Sequence, residues 1–140
     1  MKKIRFILGI LFVTCITSII NIKADSFRTY TSINIPRLHG IYTTDSENKK
    51  TISPQYVKMF GCTDGIDDNT QRAVEARLKG ITKKFVTLSR GNYTMLESGQ
   101  TSLGEAAGSY RLEIRLKTNS MTSGFFSGTW VLDDFLKNKI

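Results

Sequence analysis

The sequence predicts an all-β protein, a small antiparallel β-sandwich or barrel of about seven short strands that follows an N-terminal signal peptide. Three observations predict it. Apolar and polar residues alternate at period two along several segments, which puts one face of each segment in a core and the other in solvent. Eleven glycines, two prolines and repeated Asp, Asn and Ser clusters divide the chain into short pieces; these residues tolerate turn geometry. The first 24 residues join a basic start to an apolar run, the layout of a secretory signal.

In that first segment, Lys2, Lys3 and Arg5 precede the apolar stretch Phe6 to Ile20, and Ile22 and Ala24 occupy the positions read before a cut ahead of Asp25. The apolar run falls short of the ~20 residues a spanning helix needs, which favours cleavage over an uncleaved anchor. Lipid attachment at Cys15 is a third reading, disfavoured by Thr14, because a small residue is expected just ahead of a lipidated cysteine. Residues 25–140 then form a single secreted β domain.

Within the domain, FRTYTSINI is the first expected strand, with Phe27, Thr29, Thr31, Ile33 and Ile35 on one face. QYVKMFGC (Gln55 to Cys62) and KFVTLS (Lys84 to Ser89) are strands by their β-branched and aromatic content. RAVEARLKG alternates Val74, Ala76 and Leu78 with Glu75, Arg77 and Lys79. Keeping every charge on one face favours a strand over the helix that DDNT, just before it, could cap. LGEAAG (Leu103 to Gly108) reads as one helical turn at most. YRLEIRLK is the clearest strand, with Tyr110, Leu112, Ile114 and Leu116 against Arg111, Glu113, Arg115 and Lys117. In the last strand, Phe126, Gly128, Trp130 and Leu132 face the core, so Trp130 is expected inside and Phe125 on the opposite side as an exposed ring. TDSENKK, TDGIDDN, ESGQTS and KTNSMTSG are polar connections.

The chemistry of the chain argues for binding. Removing residues 1–24 takes away four of the 20 Lys and Arg and none of the 12 Asp and Glu, so the formal charge falls from +8 to +4 over 116 residues. A mild positive balance suits an anionic cell-wall polymer or envelope lipid. Scattered basic residues and an outward route leave nucleic acid without a footprint. Only Cys62 remains after cleavage, to be read as a small apolar residue or as the link of an intermolecular disulfide. A single histidine, His39, gives neither a zinc site nor a Ser-His-Asp arrangement obvious members, and a Cys62/His39 dyad has no orienting motif. DGIDDN would offer Asp64, Asp67 and Asp68 to calcium, yet it lacks the spacing of an EF-hand loop and reads first as a solvated turn. NYT at Asn92 matches the glycosylation acceptor, a short and weak signal. The sequence thus implies no cofactor and no catalytic residue. The expected target-binding residues are Phe125, Arg111, Arg115 and Lys117, with Lys83 and Lys84 extending a basic patch; the mixed charges of Arg111, Glu113, Arg115 and Lys117 on one strand and Glu75, Arg77 and Lys79 on another most simply mean cross-strand pairing on a solvated face.

The signal, the strand-rich chain, DNTQRA at Asp68 to Ala73 and SGTW at Ser127 to Trp130 together resemble small secreted β-sandwich proteins of Gram-positive bacteria, among them unmodified bacteriocins of the lactococcin type. The resemblance covers the last two-thirds of the mature chain. It implies a protein that acts outside the cell on the envelope of competing bacteria, without an enzymatic step. The alternative is a secreted accessory or host-interaction module without toxicity. Bacteriocins of that type are usually shorter and end in an aromatic-rich strand, whereas this chain continues through DDFLKNKI, read as a short amphipathic helix returning Phe135 and Leu136 to the sandwich.

Overall fold

Every segment read as a strand contains one, but strand length does not follow alternation: YRLEIRLK, the clearest, holds a strand of only five residues. The structure, a computed structural model, describes residues 27–96 and 103–133. The signal segment, the ESGQTS connection and the tail carrying Phe135 and Leu136 lie outside the described residues. Ten strands follow in order: β1 (Phe27–Ile35), β2 (Ile41–Thr43), β3 (Glu47–Lys49), β4 (Gln55–Asp64), β5 (Val74–Leu78), β6 (Val86–Thr87), β7 (Tyr93–Leu96), β8 (Gly108–Tyr110), β9 (Leu112–Leu116) and β10 (Gly124–Val131). They build two four-stranded antiparallel sheets, β1-β10-β4-β7 and β2-β9-β5-β6, with β3 and β8 as a separate ribbon. Neither sheet closes, so the expected sandwich is the architecture found and the barrel is not.

The core lies between the sheets. Val57, Met59, Cys62, Phe126 and Trp130 from the first meet Val74, Ala76, Leu78, Leu112, Ile114 and Leu116 from the second. Trp130 is fully buried, and its indole N–H donates to Gln55 Oε1 at 2.9 Å. A ring this large contributes ~150–250 Å² of buried surface, and its one polar atom needs such a partner.

Four of the ten strands have three residues or fewer, and three of these, β2, β3 and β8, were not expected, because period two cannot show itself over so short a run. KFVTLS narrows to β6, and LGEAAG contains no helix; Glu105 there bridges Ser53. TDSENKK holds β3, whose Lys49 is buried. Two bulges also break the alternation that the sequence suggests. In β1 the register with β10 shifts between Tyr30 and Ile33, where Ser32 has φ 52°. The shift puts Phe27 and Thr29 on the opposite face from Ile33 and Ile35, correcting the single face read from FRTYTSINI. In β4, Ser127 pairs with Gly61 and Gly128 with Met59, so Phe60 is the extra residue and turns outward.

Candidate binding surfaces

On the outer face of the second sheet, β5 and β9 place Glu75 opposite Arg115 and Arg77 opposite Glu113. Both pairs form ion pairs, Arg77 Nε to Glu113 Oε2 at 2.7 Å and Arg115 Nη2 to Glu75 Oε2 at 2.9 Å. The Phe85 ring lies 4.3 Å from the Arg77 guanidinium and 3.9 Å from that of Arg115. A guanidinium that is paired at its edge and stacked on its face is committed to the fold. The cross-strand reading of these mixed charges therefore describes Arg77 and Arg115. Arg111 and Lys117 are exposed, but they flank β9 at its two ends, roughly 20 Å apart at the rise of an extended chain. Phe125 is half-buried on the other sheet, between Asn34 and Thr63 in register. The fold does not bring the four expected target-binding residues together.

The outer face of the first sheet has a different chemistry. Lys58 Nζ lies 5.1 Å from the centre of the Tyr93 ring and 6.0 Å from that of Phe60. Tyr56 meets Tyr93 edge to face at 6.5 Å. Phe60, pushed out by the bulge, is 46% exposed, and Met95 and Phe27 are also exposed. Beside Phe60, Arg90 donates through Nε to the Phe60 carbonyl at 2.9 Å. Strand alternation gives this face Tyr56, Lys58 and Phe60 from β4, Tyr93 and Met95 from β7, and Phe125, Ser127 and Thr129 from β10. None of them is a carboxylate. The alternate residues of QYVKMF and NYTML carry this signal in the sequence, but only pairing of β4 with β7 makes one surface of them.

The remaining sequence candidates resolve into structural roles. Asp67 caps its own turn, accepting from Asn69 N–H at 3.0 Å and from the Thr70 hydroxyl at 2.6 Å. Asp64 accepts from Ile66 N–H at 2.8 Å, from Arg72 and from the Thr122 hydroxyl at 3.0 Å. The Ile66 bond foremost, with Arg72 and Thr122, holds its carboxyl below the usual range against the opposing pull of desolvation. Among the described residues no three His, Cys, Asp or Glu side chains are grouped to hold a metal. Cys62 is fully buried, and burial pushes its thiol up to about 11. Its sulfur faces the core, so a disulfide to a second chain would require opening the sandwich. His39 is exposed on the β1–β2 turn, whereas the Cys62 thiol is buried. The same end of the sandwich carries exposed Leu38, Ile66 and Met121 on three loops joined by Leu38 N–H to Ser120 O and Gly65 N–H to Ser123 O, both 2.8 Å.

The chain matches no protein-family model, no curated protein and no solved structure.

Proposed function

We propose that the protein is a secreted, non-enzymatic binding module that acts at the cell envelope and grips an anionic polymer through the outer face of the β1-β10-β4-β7 sheet. The observation that supports this reading is the carboxylate-free row of Lys58, Phe60, Tyr93 and Met95, with Arg90 at its side. Cations next to exposed rings offer a polyanion both charge and apolar contact, and the low dielectric beside the rings strengthens each ion contact. On the opposite sheet Arg77 and Arg115 are neutralised by Glu113 and Glu75. In its most concrete form the activity is bacteriocin-like, with bound protein inhibiting growth of the cells that carry the polymer.

The test applies the purified protein to a panel of Gram-positive cells and records cell-bound protein and growth together. Binding should fall as salt rises, since screening shortens to ~3 Å at 1 M, and Lys58→Glu and Phe60→Ser should each reduce it while near-ultraviolet circular dichroism stays native. Equal binding by the parent and both variants, or no binding to any strain, would overturn the reading. Binding without growth inhibition would retain the module and remove the toxicity.

A further inference from the structure

Between β1 and the β2–β3 segment, at the open edge of the sandwich, lies a cleft of about 350 Å³. Arg28, Tyr30, Tyr42, Asp45, Ser46 and Glu47 line it. Its size falls at the lower end of small-molecule sites, roughly 300–1,000 Å³. An ion pair of 2.5 Å between Arg28 Nε and Glu47 Oε1 links β1 to β3 and fixes a donor beside an acceptor. Ser46 is held by a 2.5 Å hydroxyl contact with Ser109, and Asp45 is exposed at the rim.

Tyr30 is the buried polar member. Its hydroxyl makes no hydrogen bond of full geometry, and its side-chain neighbour is the Thr44 hydroxyl. Thr44 already donates to the Asp45 carbonyl at 2.9 Å and accepts from Leu112 N–H at 3.0 Å, which leaves one lone pair for the phenol. Burial pushes the Tyr30 phenol up to about 12 against the lowering contact with Thr44, so the group stays a neutral donor. A buried hydroxyl with an incomplete hydrogen bond is costly to the fold, and this residue lines a polar cleft.

We infer that this cleft binds a hydroxyl-rich ring of monosaccharide size, a pyranose. Two tyrosine rings suit the apolar C–H faces of such a sugar. Arg28, Asp45, Glu47 and the Tyr30 hydroxyl supply the mixture of donors and acceptors that adjacent sugar hydroxyls require. The ring would offer the Tyr30 hydroxyl a full hydrogen bond in place of the incomplete one to Thr44. Tyr30 pairs in register with Gly128 on the core-facing side of the first sheet, whereas Lys58 and Phe60 face outward. The cleft is therefore independent of the proposed polyanion surface.

The experiment is calorimetric titration of the full protein with glucose, galactose and N-acetylglucosamine, with glycerol and inorganic phosphate as controls. At least one pyranose should bind saturably. Loss of one good hydrogen bond predicts about tenfold weaker binding in Tyr30→Phe and in Asp45→Asn, and Lys58→Glu should leave the affinity unchanged. Tyr30→Phe should also melt no earlier than the parent, because it removes a buried hydroxyl whose hydrogen bond is incomplete. Asp45→Asn, at the exposed rim, keeps the test valid should the buried substitution disturb the fold. No saturable binding of any of the three sugars, binding of phosphate alone, or sugar affinity unchanged in both variants would each overturn the inference.

Discussion

Lys49→Met should be the most damaging single substitution outside the hydrophobic core. Lys49 and Asp133 form an ion pair of 3.2 Å with both side chains fully buried. The ammonium also donates to the Ser53 hydroxyl at 2.6 Å and to the Leu132 carbonyl at 2.5 Å. Asp133 Oδ1 further accepts from Thr51 N–H at 3.0 Å and from its hydroxyl at 2.5 Å. The cluster clips β3 to the chain leaving β10. Methionine preserves most of the volume but leaves a buried carboxylate without its countercharge, at a cost of about 3–5 kcal/mol. With a slope of roughly 1.5 kcal/mol per molar, the urea midpoint should drop by roughly 2–3 M.

The pH dependence gives an independent check on the same cluster. Burial raises the Asp133 carboxyl, but hydrogen bonds from Thr51 and the Lys49 contact outweigh it, and the folded group lies below its ordinary value. A carboxyl depressed in the folded state contributes stability above its unfolded pKa of ~3.9 and loses it as pH falls through the folded pKa. Asp133→Asn should therefore flatten the acid limb of the stability profile. Equilibrium urea unfolding of both variants between neutral pH and the acid transition measures both effects. A Lys49→Met loss below about 1 kcal/mol, the size of a solvated surface pair, would refute the buried clip.

Other consequences are quicker to test. Gly128→Ala should destabilise the fold by about 1–3 kcal/mol, because a Cβ there would lie 2.6 Å from the Lys58 carbonyl and 2.6 Å from Phe126 Cζ; thermal unfolding reads it. Leu38, 53% exposed with φ 57°, should be improved by Leu38→Gly by about 1 kcal/mol, since glycine relieves the left-handed backbone. Cys62 should resist a thiol reagent in native protein and react on unfolding, because its sulfur is buried and its thiol is raised; the reaction rate with and without denaturant decides. Phe85→Ala should loosen the Arg77 and Arg115 pairs and cost about 1 kcal/mol for the two cation contacts, measured by chemical denaturation.

Local periodicity by itself determined the all-β class, the inward faces of β5, β9 and β10, and the burial of Trp130. Each follows from the side chains of one strand alternating across one sheet. The pairing of opposite charges across β5 and β9 was also legible, because mixed signs on neighbouring solvated faces favour that register. Tertiary structure alone decided the rest. Phe60 faces out and Phe27 lies opposite Ile33 because bulges form only against a partner strand, and nothing within one strand marks the extra residue. Lys49 stands in a polar run that reads as a turn, yet it is buried because Asp133, far along the chain, supplies its countercharge. The Tyr30–Tyr42 cleft and the Lys58–Tyr93 surface likewise need β1 beside β3 and β4 beside β7. Alternation is written within a strand, whereas register, countercharge and cleft belong to pairs of strands distant in sequence.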